Sequence, residues 1–400
     1  MKLIGPFKQL ITMRGTSLEG PLEDAALEII DNAGILIVDG VVKQIDSYDR
    51  MDCDQKIVFD SPVVGIPGLV DAHTHLCWGG SRAGDYALRV QGVSYQEIAS
   101  RGGGIRDTVA QTRRASLETL TERVKQHLDR QLSWGVTTTE VKSGYGLSVE
   151  SELKMLNAIS AGAKEHPVDV VPTCLAAHTL PQEFDNPKEY LEYIQKELFP
   201  LLPKDVRRAD IFVEEGAFAP EEALAYLRFA KDQGFSITVH ANQFTHAGVR
   251  VACEVGAVSA DHLEHLTNDE IRQLVRSNVK AVALPGASLG LGVDMAPARK
   301  MLDAGLCLAI ASDWNPGSAP MGNLLAQASL LGAYEKLSLA ETLAGITCRA
   351  AAALELSDRG VLEKGKRCDV AVFSTEDWRD IFYYQGSMQP SEAIVNGIRR

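Results

Sequence analysis

The stretch Gly68-Leu-Val-Asp-Ala-His-Thr-His75 ends an apolar run in two histidines one residue apart. In a strand, residues i and i+2 face the same side, so His73 and His75 can reach one point from one strand end. Two imidazoles so placed suit a metal ion. Working outward, this run is the first of eight: Gly68–His73, Val136–Lys142, Val168–Ala177, Ala209–Glu214, Phe235–His240, Ala257–Leu263, Lys280–Leu284 and Cys307–Ser312. The spacers between them carry helical periodicity, as in Leu117–Leu132, Glu150–Ala163, Glu221–Gln233, Asn268–Ser277 and Pro297–Asp303. Strand and helix in alternation predict a parallel sheet. Eight units over roughly 295 residues suit a closed α/β barrel of the (β/α)8 TIM type. A doubly wound open sheet is the alternative, weakened because no GxGxxG follows the first strand.

The flanks read differently. Gly34–Asp46 is two β-branched runs joined at Asp39-Gly40, a strong hairpin signal, and Lys56–Asp60 adds another strand. After a helical stretch at Ser338–Leu356, strand-like runs return at Cys368–Phe373 and Ala393–Asn396. The expected organisation is a small β-sandwich module from residues 1–61 and 357–400, and a barrel over 62–356.

Composition bounds the function. The chain has 400 residues, 45% of them hydrophobic, which suffices for a large core. A net charge of −13 argues against nucleic acid or an anionic membrane as a main partner. The seven cysteines form no CxxC pair and read as reduced thiols. With no signal-peptide pattern at the N-terminus and no apolar run of bilayer length, a soluble cytoplasmic protein is expected.

Polar residues gather at the C-terminal ends of the predicted strands, where barrel active sites sit. His73 and His75 end the first, His178 follows the third, and His240 ends the fifth. Asp261 and His262 end the sixth, and Asp313 the eighth. A single histidine at a strand end is more often structural; seven such residues in one register favour a shared metal site. Three imidazoles and a carboxylate suit Zn²⁺ or Fe²⁺ with one position open to water. The glycines of Arg101-Gly-Gly-Gly104 lack the Lys-Ser/Thr ending of a phosphate loop and read as a loop with unusual backbone angles. Cys77-Trp78 reads as loop packing.

These residues carry a resemblance. The chain resembles the metal-dependent amidohydrolase superfamily and, more closely, the imidazolonepropionase family of histidine degradation. The stretches are Asp71–His75 with Gly79-Gly-Ser-Arg82, Gly102–Ile105, Glu140-Val-Lys-Ser-Gly-Tyr-Gly146, Ala177-His178, Ser259–Leu263 and Ser312-Asp-Trp-Asn-Pro-Gly-Ser318. The His-x-His pair alone marks the superfamily; Lys-Ser-Gly-Tyr-Gly with Asp-x-Asn-Pro-Gly-Ser is far more specific.

The resemblance implies a metal-dependent hydrolase that opens the cyclic amide of 4-imidazolone-5-propanoate to N-formimidoyl-L-glutamate. It implies His73, His75, His240 and Asp313 as ligands of one divalent metal ion per subunit, zinc or iron. A metal of this kind lowers the pKa of its water to about 7. Asp313 is the implied proton acceptor and donor, with His262 near the carbonyl. Arg82, Tyr145 and His178 match substrate-contacting positions, and Asn315, Gly317 and Ser318 line the site after the eighth strand. Some members carry glutamate where this chain has Gln243; an amide can hold the ring or orient water but cannot act as a base. Lys142 lies in the substrate-type motif, and no lysine at the end of the third or fourth strand could bridge two metals. A small-molecule substrate and a homodimer are also implied. Two rivals stand: another amidohydrolase such as a heterocycle deaminase, and a non-catalytic barrel scaffold.

Overall fold

The computed structural model describes residues 1–93, 97–98 and 101–400. The chain opens with β1 (Lys2–Ile11), β2 (Ile29–Val38), β3 (Val41–Ser47), β4 (Lys56–Val58) and β5 (Val64–Pro67). The β2–β3 turn places Asp39 and Gly40 at φ 49° and 80°, the left-handed pair a tight hairpin needs. Then come the barrel strands: β6 (Leu69–Asp71), β7 (Val136–Lys142), β8 (Asp169–Ala177), β9 (Arg208–Val213), β10 (Ser236–Ala241), β11 (Ser259–His262), β12 (Lys280–Ala283) and β13 (Leu308–Ile310). They pair in sequence order, every pair parallel. The chain ends with β14 (Val370–Phe373), β15 (Glu392–Val395) and β16 (Ile398–Arg399).

The eight terminal strands form a second hydrogen-bonded sheet, in the order β16-β15-β14-β5-β1-β2-β3 with β4 also on β1. It curls round its own apolar cluster, in which Ile4, Phe7, Ile35, Ile37, Val370, Val372 and Ile394 are buried together. One strand assignment needs correcting. Val64–Pro67, counted above with the barrel, pairs with β1 and β14 instead. The apolar sequence runs unbroken from Val63 through Pro67-Gly68 to Val70, so nothing local marks where one sheet hands over to the other.

Closure of the barrel brings its first and last strands together. Thr74 and Trp314 form a parallel bridge, Asp313 N–H donates to the His73 carbonyl at 3.0 Å, and His75 N–H donates to that of Trp314 at 3.0 Å. The buried Asp71 carboxylate ties the seam, accepting from Ser312 N–H at 2.9 Å, Ser312 Oγ at 2.5 Å and Gln131 at 3.1 Å.

The outer helices pack by periodicity. Leu117–Ser133 buries Leu120, Val124 and Leu128, one face at a spacing of four, behind an N-cap in which Ser116 accepts from Thr119 N–H. Each such side chain contributes about 1.5–3 kcal/mol on burial. The single helix expected over Ser338–Leu356 is two, Leu339–Gly345 and Cys348–Ala353, broken where Thr347 adopts non-helical angles. All seven cysteines are free; Cys77 is buried and Trp78 stacks on His127 at 4.2 Å, so that pair is packing. Among the described residues no helix is long and apolar enough to cross a membrane.

Candidate active site

At the C-terminal mouth of the barrel, His73, His75 and His240 bring ligand atoms within 4.8 Å of one another, all buried. Asp313 Oδ1 stands 3.3 Å from His75 Nε2 and 3.6 Å from His73 Nε2. Nitrogen and oxygen donors about 2.0–2.1 Å from a tetrahedral ion lie about 3.3 Å apart. His73 Nε2, His240 Nε2 and Asp313 Oδ1 are buried with no hydrogen-bond partner. Left without a partner such atoms are costly, and an ion between them removes the cost. The donor set therefore fits a divalent cation.

The other ring nitrogens explain the aim. His73 Nδ1 is 2.6 Å from Asp261 Oδ2, and His240 Nδ1 is 2.8 Å from Asp210 Oδ2. Carboxylates so placed fix the tautomer and turn Nε2 inward. Asp261 is held in turn by Ser259 Oγ at 2.7 Å and Thr238 Oγ1 at 3.1 Å. Between the two carboxylates sits Lys142, its Nζ 2.9 Å from Glu140 Oε1, 2.9 Å from Asp210 Oδ2 and 3.9 Å from Asp261 Oδ2. The sequence places Lys142 in a substrate motif; the structure buries it inside the barrel. Burial alone lowers an ammonium pKa, but Asp210, Glu140 and Asp261 together raise this one. A lysine so paired is a fixed cation, which leaves no neutral amine to be carboxylated. Lys142→Met is expected to destabilise the protein by about 3–5 kcal/mol, because it strands buried carboxylates. Urea titration of the variant checks this; a midpoint equal to wild type contradicts it.

Burial, with the Lys142 charge second, holds His73 well below the usual imidazole range and brings His75 to about 3. Burial brings His240 to about 4, although Asp210 opposes it. His75 and His240 are neutral above about pH 5, His73 is shifted in the same direction, and all three therefore need lose no proton to bind metal near neutrality. Ordinary histidines begin to lose affinity to protons near pH 6.5. Here affinity is expected to hold between pH 8 and 5.5 and to fall only below; chelator competition at pH 7.5 and 5.5 measures it. A tenfold or greater loss at pH 5.5 contradicts the expectation.

A cavity of about 750 Å³ opens over the site. It is lined by the expected substrate-side residues Arg82, Tyr145, His178, Gln243, His262, Asn315, Gly317 and Ser318, whereas Asp261 and Lys142 lie inside the barrel. His178 stacks on His75 at 5.2 Å and its Nδ1 lies 3.1 Å from the Gly144 carbonyl. Glu152 seats the Ser-Gly-Tyr-Gly turn, accepting from Gly144, Gly146 and Leu147 N–H at 3.1, 2.7 and 2.7 Å, which presents Tyr145. Asn315 Oδ1 accepts from Gly317 and Ser318 N–H at 2.7 and 2.8 Å, shaping the loop after β13. His262 sits at φ 84°, its Nδ1 3.6 Å from Glu264 Oε1. Burial lowers its pKa, but Glu264, then Asp313 and Asp261, raise it overall. Burial also raises Asp313 above the usual carboxylate range.

Several residues escape sequence reading. Asp210 and Glu140 support the ligands from inside the barrel, together with Lys142, which the sequence assigns to the substrate instead, and a charged residue within an otherwise buried strand is the signal that could have found them. Glu214, at the end of β9, holds the loop carrying Gln243 by accepting from Phe244 N–H at 2.9 Å. Gln243 itself lines the cavity, and its carbonyl lies 2.9 Å from His265 Nδ1.

Known proteins resemble this chain over most of its length. The sequence model of the Amidohydrolase family matches residues 64–399. Imidazolonepropionase of Bdellovibrio bacteriovorus is 38% identical over 405 residues, covering 98% of this chain and 94% of that protein. Imidazolonepropionase of Rubrobacter xylanophilus is 43% identical over 334 residues, covering 83% and 80%. Among solved structures, an adenosine deaminase from Xanthomonas campestris with bound zinc superposes at a TM-score of 0.74 with 15% identity, over all of this chain and 92% of that one. Atrazine chlorohydrolase TrzN from Arthrobacter aurescens, complexed with zinc, superposes at 0.70 with 18% identity, over all of this chain and 95% of that one. These two share the fold. The chain belongs to the amidohydrolase family and, within it, to the imidazolonepropionases.

Proposed function

We propose that the protein hydrolyses the cyclic amide C–N bond of 4-imidazolone-5-propanoate, giving N-formimidoyl-L-glutamate in histidine degradation. The observation that carries this is one cavity with His75, His240 and Asp313 at its base, His73 buried behind them, and Arg82 in its wall. The first set suits attack of water on an amide carbonyl, and the guanidinium suits the substrate's propionate.

His73, His75, His240 and Asp313 would hold one divalent ion per subunit, zinc or iron, which when bound would supply an acidified water and a Lewis acid for the carbonyl. The Asp313 carboxylate accepts a proton as water adds to the ring carbonyl carbon, and returns it to the ring nitrogen as the C–N bond breaks. His262 donates toward the carbonyl oxygen, with Glu264 beside its Nδ1 favouring the protonated ring against burial. Tyr145 and His178 wall the ring, and the Gln243 amide orients it without taking a proton. Lys142 keeps Asp210 and Asp261 charged, which holds His240 and His73 in place. The reading includes a cytoplasmic homodimer.

Incubating the purified, metal-loaded protein with 4-imidazolone-5-propanoate tests the reading. N-formimidoyl-L-glutamate in the mass spectrum is the expected product. Unchanged substrate overturns the reading. Sedimentation at micromolar concentration tests the homodimer.

A further inference from the structure

We propose that Asp85 is a positioning residue for the substrate's carboxylate: it holds Arg82 by Nε, and the Gly104 backbone N–H holds Asp85. This rests on the reading above, in which Arg82 grips the propionate.

A guanidinium offers a carboxylate two edges, one using Nε and one using both Nη atoms. Arg82 donates Nε to Asp85 Oδ2, so the first edge is taken. The remaining edge belongs to a guanidinium that lines the cavity. Arg82 Nη1 is 3.4 Å from Thr108 Oγ1, and a Cβ on Gly317 would lie 3.6 Å from it. The group is thus held between the Ile105–Arg114 helix and the loop after β13. The Arg82 and Asp85 side chains are only 12% and 17% exposed, so solvent screens their pairing weakly.

The glycine run finds a use in the same contact. Gly104 N–H donates to Asp85 Oδ2 at 2.9 Å, from φ 75° and ψ −161°, a region essentially reserved for glycine. A Cβ on Gly103 would fall 2.7 Å from Asp85 Oδ1 and 2.7 Å from Ile98 Cγ2. The backbone can therefore seat on Asp85 only without side chains at these two positions. Asp85 also lines the cavity, where a bare carboxylate would repel the anionic tail of the substrate. Its pairing with Arg82 and Gly104 is what makes it compatible with that tail.

Steady-state kinetics of Asp85→Asn test the proposal. Loss of one charge-assisted contact is expected to raise KM for 4-imidazolone-5-propanoate about tenfold, with kcat within about threefold of wild type. The corresponding propanamide, which lacks the charge, is expected to show wild-type KM in the variant. Gly103→Ala, which pushes on Asp85 Oδ1, is expected to shift the same ratio in the same direction, and it decides the matter if Asp85→Asn does not fold. A lower KM overturns the proposal, since it makes Asp85 a mere counter-charge opposing the anion. Unchanged KM, or an equal rise for the propanamide, also overturns it. A wild-type protein inert toward the propanoate overturns the functional reading itself; an active wild type with indifferent variants overturns only the role of Asp85.

Discussion

Asp313→Asn is expected to lower kcat by about a thousandfold, within the range for loss of a positioned general acid–base. The substitution isolates charge from geometry. Asp313 sits at φ 48°, in the left-handed region where Asp and Asn are both tolerated. Its N–H bond to the His73 carbonyl and the Asn315 bond to its own carbonyl at 2.7 Å are main-chain features that survive. The three imidazoles also remain, each neutral and aimed inward. The variant should therefore keep measurable metal by elemental analysis and a near-wild-type melting temperature while turnover collapses. If it binds metal and keeps kcat within tenfold of wild type, Asp313 is not the proton carrier.

Arg82→Met is expected to raise KM for 4-imidazolone-5-propanoate about a hundredfold, with a smaller effect on kcat. Methionine keeps much of the apolar stem and removes the fork. Two changes act in the same direction: the substrate carboxylate loses its bidentate partner, and Asp85 faces the cavity without Arg82 to neutralise it. A deaminase acting on an uncharged heterocycle needs no such group. Unchanged KM in this variant therefore favours that rival, and a rise of the expected size excludes it for this substrate.

Much of the barrel was legible because its strands are short β-branched runs between polar helices. Val136–Lys142 and the helix Asn268–Ser277 lie at the boundaries read from periodicity alone. The handover at Pro67-Gly68 was not legible, since Val64–Pro67 and Leu69–Asp71 are equally apolar and differ only in which distant strands they meet. The metal-directed residues were legible for a local reason: parity puts His73 and His75 on one face, and strand ends supply His240 and Asp313. What holds them was not. Asp210 supports His240 from the neighbouring strand, Asp261 supports His73 across the barrel, and Lys142 joins the two carboxylates. Those contacts arise only when the strands pair and the barrel closes, so no window of sequence contains them. Asp85 was half hidden: Arg82 stands three residues before it, but Gly104 comes from a separate segment that only folding brings to it.

The central claim is that this site adds water to a ring carbonyl and breaks the adjacent C–N bond. Reaction of the metal-loaded protein with 4-imidazolone-5-propanoate in ¹⁸O-labelled water measures that step directly. The account predicts N-formimidoyl-L-glutamate with one heavy oxygen in the new α-carboxylate and no ammonia released. Ammonia release with the ring intact, or product without heavy oxygen, contradicts it.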